Sequence, residues 1–582
     1  MVSGRPAEGA ALVQRRCPDL PEQALGPLVE ALDGLPLALE LVAPRLRTVP
    51  AAELARPDRL AGVLFRGRDS TLARAFRFSW ERLDRFERRM LVQATAFAGP
   101  FGLDDAEAVL GSEAADAPWF VDTLQSLCDR SWLQRRVDGG DVRFSLLATV
   151  RAFADGEAAA WLGDAPVRHA RHVASRWGEM PVLGPPPFGA ALLPELDRAA
   201  RTALGVGDEA LAVRTATAFA HGAQFFGGAD AALRTIELVL ASAVQPRSRA
   251  RLAQSRGQLL RRSGRPEAAL EAVTLAVAAA EEAGDADLVG RIAMFHGLVA
   301  LSLRDAEGAR AAFDRAEAGI RPGSDAALAL ALNRVTACHA AGAFQEGLDR
   351  IGPLTAASHP LARAYGLALA GAMHAGLGEL PAAIDAFAAG VSALEAQGEG
   401  FSASNFRLLW AEALAGQGRD AEAAEAFAGA LRTLGALGNA AYAAVTCVKL
   451  AELALAADDL PQAQRWTDEG AVWAGRCTEA AAQAAVASAR CEVLTRSGAA
   501  DRGRAAGLEA EAWVARCGDR SARGQLCVHR AMAAAAEARG AEAAAWGAQA
   551  EVIAAELGAL PHSALGRAVR RMRRGLSRVA LH

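Results

Sequence analysis

GRPEAAL, residues 264–270, reads as a tight turn followed at once by the start of an Ala-rich helix. The phrase recurs along the chain. Copies begin at Gly227 (GGADAAL), Arg304 (RDAEGAR), Gly342 (GAFQEGL), Gly378 (GELPAAI), Gly418 (GRDAEAA), Asp458 (DDLPQAQ), Gly498 (GAADRGR) and Gly540 (GAEAAAW). Each start follows the one before it by roughly 40 positions, long enough for two helices and two turns. Such a period is the signature of a helical solenoid.

The copies resemble tetratricopeptide repeats. Each such repeat needs a small residue in helix A, then a small, a bulky and a small residue in helix B. Gly257/Ala269/Val273/Ala276, Gly297/Ala309/Phe313/Ala316, Gly371/Ala383/Phe387/Gly390 and Ala411/Ala423/Phe427/Ala430 fit that pattern. Small residues let the paired helices approach closely, and the bulky one fills the space against the next helix. The copies from Gly227, Gly342, Asp458, Gly498 and Gly540 fit at fewer positions. The period is longer than that family's usual one, so longer helices are expected.

Composition agrees with a helical reading. Of 582 residues, 52% are hydrophobic but only 5% aromatic, so Ala and Leu dominate. Both favour helices. A formal net charge of −4 excludes a globally basic nucleic-acid coat. Cys17, Cys128, Cys338, Cys447, Cys477, Cys491, Cys517 and Cys527 form no CxxC pair and read as reduced, mostly buried thiols. The first residues, MVSGRPAEGAALVQRR, lack an apolar signal core. No apolar run reaches membrane-span length. A cytoplasmic protein without membrane contact is the expectation.

Ahead of the repeats, RAFRFSWERLDRFERRMLVQATAF (74–97) places Phe78, Leu83, Phe86, Met90 and Leu91 at helical spacing. LDDAEAVLG (103–111) opens with Asp104 as the expected N-cap and Glu107 three beyond. A third helix is expected over about 117–131. LQRRV (133–137), DGGD (138–141) and VRFSL (142–146) then spell a β-hairpin. Three helices followed by a hairpin describe a winged helix. MPVLGPPPFGAALLPE (180–195) is rich in Pro and Gly and reads as a linker.

DGLPLALELVAPRL (33–46), the winged helix, FSLLATVRAFA (144–154) and the repeats occur in one order. Together they resemble the C-terminal portion of bacterial STAND-type signal-transduction ATPases, regulators related to the NB-ARC switch proteins. The resemblance implies that Gly34, Leu35 and Pro36 belong to a lid motif beside a nucleotide, with Pro36 near the adenine. It also places a phosphate-sensing position at Leu147 or Ala148, and neither side chain can hydrogen-bond a phosphate. A P-loop needs GxxxxGK[ST], but the only Lys is Lys449, in AAVTCVKLAE, with no Gly loop before it. The chain as given is therefore expected to start inside the lid. A truncated gene, a start assigned too late, or a core on another chain would each account for that.

Other constellations favour ordinary explanations. His169 and His172 in RHARH lie three apart, but Arg168 and Arg171 flank them and no third ligand joins, so a solvated helix face outweighs a metal site. Paired acids such as AEEAGDAD (280–287) read as solvation. No GxSxG or HExxH appears, so no catalytic set, cofactor or metal is expected. A DNA-reading third helix would carry several bases, yet APWFVDTLQSLCDRSW (117–132) has Asp122 and Asp129 against Arg130. Arg135, Arg136 and Arg143 on the hairpin would touch phosphate without specifying sequence. The C-terminal GRAVRRMRRGLSR (566–578) carries Arg567, Arg570, Arg571, Arg573, Arg574 and Arg578, and a polar helix capping the solenoid is expected there.

The expected architecture is mainly α. A lid remnant (1–66) leads to a winged-helix domain with a following helix (67–178), a linker (179–196) and a TPR-like solenoid (197–582). The expected function is a regulatory, signal-transducing interaction protein and no enzyme. Its repeat groove would take a protein, peptide or small effector and couple it to an ATPase or transcriptional output, with an ATPase core on another chain as one partner. A DNA-binding transcriptional regulator is the second reading. A nucleotide hydrolase would require a P-loop core upstream.

Overall fold

The computed structural model describes residues 13–14, 22–32, 38–39, 42–47, 49–55, 71–111, 118–138, 140–303, 305–477 and 479–579. The chain forms two compact units. One comprises residues 1–179 with 188–219, the other 180–187 with 220–582.

In the first unit, α1 (Glu22–Ala31) buries Leu25, Leu28 and Val29, an i, i+3, i+4 stripe. These share one core with the aromatic and aliphatic residues of the winged helix. Residues 74–97, expected as one helix, are two: α2 (Thr71–Trp80) and α3 (Arg85–Gln93). Asp84 makes the break. Its carboxylate accepts from Phe86 N and Glu87 N, and Glu87 accepts from Asp84 N at 2.9 Å, so a capping box starts a new helix. Leu83, Met90 and Leu91 are buried, whereas Phe78 is exposed under the Arg82 guanidinium.

The next helix, α4 (Leu103–Leu110), is capped by Gly102 rather than Asp104. The Asp105 carboxylate accepts Gly102 N at 3.0 Å, so Asp105 takes the part expected of Glu107. Then come α5 (Phe120–Asp129), β1 (Gln134–Asp138) and β2 (Asp141–Ser145). The strands pair antiparallel from Gln134↔Ser145 to Asp138↔Asp141, and Gly140 at φ +97° supplies a left-handed turn residue. A short bridge, Phe101↔Phe144, completes the wing. Next is α6 (Ala148–Gly156), carrying TVRAFA. Phe153 on α6 stacks on Phe76 at 5.3 Å and meets Trp80 edge-on at 5.8 Å, which packs α2 against the wing's exit. The unit continues through α7 (Ala165–Trp177) and α8 (Leu193–Gly205). α8 begins inside the stretch read as a linker, because Pro194 sits in its first turn, where proline is tolerated.

The repeats follow as helix pairs. They are α9 (Glu209–Phe226) with α10 (Ala229–Ser242), α11 (Pro246–Arg262) with α12 (Pro266–Glu282), and α13 (Ala286–Ser302) with α14 (Ala306–Gly319). Next come α15 (Asp325–Ala340) with α16 (Phe344–Thr355), α17 (Pro360–Leu377) with α18 (Leu380–Ala396), and α19 (Gly400–Gly416) with α20 (Asp420–Ala436). Then α21 (Ala440–Ala456) pairs with α22 (Leu460–Ala474), α23 (Ala480–Arg496) with α24 (Ala500–Cys517), and α25 (Arg520–Ala536) with α26 (Gly540–Glu556). A last helix, α27 (Ala564–Val579), closes the described chain.

Each recurring phrase marks the turn inside one pair. In the last five pairs the left-handed turn residues are Gly378, Gly418, Asp458, Gly498 and Ala538, evenly spaced at the repeat period. The final copy therefore turns at Ala538, just ahead of the Gly540 that the wording of the sequence suggested. The paired helices run from 12 residues in α16 to 18 in α9, with 17 in α12, which accounts for the long period. Close approach requires the small residues: a Cβ added at Gly371 would lie 2.7 Å from the Phe387 ring, and one at Gly297 would collide with Phe313.

Candidate interaction sites

Two places in the chain gather charged and polar side chains. In the winged helix, α5 is where DNA would be read. Thr123, Leu124 and Leu127 bury its inner face. Its outer face shows Asp122, Gln125 and Asp129. Arg130, the one base, is exposed but engaged: it lies 3.4 Å from Glu87 and donates to the Arg82 carbonyl. Arg135 and Arg136 stand exposed on β1, while Arg143 faces Asp105 at 3.9 Å.

His169 and His172 do not act together. His169 Nε2 lies 2.8 Å from Glu195 Oε2, fully buried, with the Phe97 ring edge-on. Glu195 also accepts from Ala98 N at 2.8 Å and Gly99 N at 2.6 Å. Burial opposes ionisation of Glu195, but the His169 hydrogen bond and those two amides carry its carboxyl below the usual range. His172 instead meets Asp105 at 2.9 Å; that bond, with Arg176 nearby, holds Asp105 at about 2. On α6, Arg151 donates to the Thr95 carbonyl at 2.8 Å, and Arg198 of α8 donates to the same oxygen at 2.6 Å. These bonds tie α6, α7 and α8 to the loop after α3.

The second place lies in the repeats. Glu412, Glu452 and Glu492 occupy one register on α19, α21 and α23, recurring with the repeat period. Each directly follows the small residue of its A helix (Ala411, Ala451, Cys491). Cations bridge this acidic ladder. Lys449 Nζ lies 3.2 Å from Glu412 and 3.1 Å from Glu452, so the chain's one Lys is structural here. From α27, Arg567 pairs with Glu412, and Arg571 grips both oxygens of Glu492, at 2.7 Å on Oε2. His529 of α25 adds a third contact to Glu492 at 2.8 Å. Burial alone would raise the Glu492 carboxyl, but Arg571 and His529 hold it far below the usual range. Beside the ladder is a cavity of about 660 Å³, lined by residues of α19, α20, α21, α23, α25 and α27.

α27 keeps part of the expected polar face, with Arg570, Arg573 and Arg574 exposed. α27 buries Leu565, Val569 and Met572 against α25 and α26, and turns Arg567 and Arg571 onto the inner helices. Arg567 and Arg571, partly buried on carboxylates, are withdrawn from that outer face. The ladder was missed in the sequence because each glutamate sits in an ordinary Ala-rich helix; only alignment of the copies at the repeat period reveals it.

Gly34, Leu35 and Pro36 lie outside the described residues; the neighbouring Ala38 and Leu39 are buried. Leu147 is the buried N-cap residue of α6, and Ala148 is the first residue of that helix. Cys447 is pushed up to about 12, and Cys491 and Cys527 to about 11, by burial, which makes them poor nucleophiles. Among the described residues no helix is long and apolar enough to cross a membrane.

A winged helix-turn-helix domain profile matches residues 83–157. A protein of Mycobacterium tuberculosis, proposed to be an HTH-type transcriptional regulator, is 33% identical over 156 residues, 26% of this chain and 18% of that protein. An uncharacterised protein of the same organism is 31% identical over 144 residues, 22% of this chain and 35% of its own length. The chain thus matches less than a fifth of the first relative. Among solved structures, a STAND protein with a tetratricopeptide repeat sensor from Pyrococcus horikoshii aligns over 88% of this chain and 73% of its own, at 15% identity and a TM-score of 0.46. A Rap protein complexed with competence and sporulation factor aligns over 56% of this chain and 98% of its own, at 13% identity and a TM-score of 0.40. At these scores the fold stands on the chain's own helices: mainly α, winged helix followed by TPR-like repeats.

Proposed function

We propose that this chain is a regulatory, non-catalytic interaction module whose repeat helices take up a ligand and whose winged helix passes that state to an ATPase or transcriptional output. One observation carries the reading. Lys449, Glu452 and Arg496, on the A helices α21 and α23, line an open cavity, whereas the outer face of α5 presents acids. That arrangement supports the repeats as the recognition surface. The partner of the repeats is a protein, a peptide or a small effector.

A photo-crosslinking residue at Ala456, in the cavity wall, should capture a discrete partner in cells. The same residue at Leu508, exposed on α24, should not. Equal labelling from both positions would sink the reading.

Direct DNA binding through the wing is the second reading, favoured by the exposed Arg135 and Arg136 and by the description of the mycobacterial relative. A mobility-shift titration decides between them. The first reading expects weak, sequence-indifferent retardation; tight binding with a steep salt dependence, abolished in R135A/R136A, would establish the second.

A further inference from the structure

The cavity between α27 and the inner helices has a charge balance that its internal pairs do not close. Lys449 and Arg567 are matched by Glu412 and Glu452. Arg496 and Arg571 are matched by Glu492 and Asp458. Two further lining cations remain, Arg570 and Arg574, one helical turn apart on α27. Both are exposed, and neither has an acidic partner among the described residues. Among the described lining residues, Asp420, at the start of α20, is the one acid outside those pairs. Gln525 of α25 also lines the cavity, with its Oε1 buried and without a hydrogen-bond partner. A buried amide oxygen left unpaired is destabilising, so it is a position where a ligand donor gains. Phe427, Leu453 and Met532 supply apolar wall. A volume of about 660 Å³ suits a small molecule.

We infer that this cavity binds a small anionic effector that also carries a hydrogen-bond donor. Its acidic group lies between the Arg570 and Arg574 guanidinium groups, and its donor reaches Gln525 Oε1. Guanidinium forks hold carboxylates and phosphates equally well, so the shared chemistry is a multiply charged oxyanion. The inference deepens the reading of the repeats as the ligand surface and rests on it.

Two probes separate the parts. Citrate carries carboxylates and a hydroxyl donor; sulfate carries two charges and no donor. Each is titrated calorimetrically into the full chain, with sodium chloride at matched ionic strength as the control. Saturable binding is expected for both, weakened at least tenfold in R570A/R574A. Because both arginines are exposed, that variant keeps the packing of α27, which circular dichroism checks. Gln525→Leu should weaken citrate several-fold and leave sulfate unchanged. Failure of both probes to saturate, or an R570A/R574A variant that binds as the wild type does, overturns the inference. Indifference of citrate to Gln525→Leu overturns its donor half. If the probes fail while Ala456 still crosslinks a partner, the small-effector inference falls and the interaction reading stands.

Discussion

At Gly297 and Gly371 a missing side chain decides the geometry. The Phe313 and Phe387 rings occupy the space that a Cβ would need. In an open helix, Gly→Ala gains roughly 1 kcal/mol of helix propensity. Here the overlap reverses the sign. G297A and G371A should each destabilise the chain by about 1–3 kcal/mol in urea unfolding. Ala538 shows the opposite case, a residue with a Cβ at φ +58° where most neighbouring repeats place Gly. Left-handed backbone strains L-residues by roughly 1–2 kcal/mol. A538G should therefore raise stability by about 0.5–1 kcal/mol, read from the same unfolding curves. Neither kind of site is visible as strain in the sequence, since a Gly reads the same whether it faces solvent or a ring.

The element that matters most is α27. Its apolar stripe and its arginines act on different sides of one helix, so anchoring and charge neutralisation are coupled. Arg571→Met would leave Glu492 buried with only Arg496 and His529 beside it. Breaking a buried pair in that way typically removes about 3–5 kcal/mol. Hydrogen exchange should report it as lost protection confined to α23, α25 and α27, with the winged helix unchanged. The pH dependence follows from the sign of the shift. A depressed carboxyl contributes fully above its unfolded value and loses that contribution as pH falls through its lower folded value. Protection of α27 should hold at pH 5 and fail only in stronger acid. The arginines of this segment were legible as a basic helix, but their destination was not. A run of Arg looks identical whether it caps a solenoid or lies on glutamates several repeats away.

Over the repeat unit as a whole, distant repeats touch. Asn439 donates to the Arg262 carbonyl at 3.2 Å, and Arg262 lies over the Phe225 and Phe401 rings, 4.9 Å from each. Glu479, just before α23, sets its carboxyl against Gly264, in a turn several repeats earlier. Burial, with Glu267 nearby, pushes Glu479 up to about 7. A raised acid binds its proton in the folded state where the unfolded chain has released it. Stability from this contact is therefore complete below about pH 4.5 and is lost as pH rises through 7. Solvent screening at this half-buried site limits the loss to about 2 kcal/mol. Melting temperature should drop between pH 5 and pH 8, and Glu479→Gln should flatten that slope while leaving the pH 4.5 value nearly unchanged. A Glu479→Gln chain with the wild-type slope would show that the contact is not what titrates.

The sequence by itself determined what is local or periodic. Ala-rich helices, a turn in every repeat and an Asp-Gly-Gly hairpin each depend on residues a few positions apart, so propensity and pattern suffice. It also determined that small residues would sit where paired helices close, because the A and B helices of one repeat are neighbours in the chain. Tertiary structure decided the rest. It divided residues 74–97 at Asp84, gave His169 to Glu195 and His172 to Asp105, and brought α27 onto a ladder of glutamates 155 and 79 residues away. Those partners are separated by stretches whose superhelical path sets which side chains meet. That path accumulates from small rotations at every repeat, and no short window of sequence contains it.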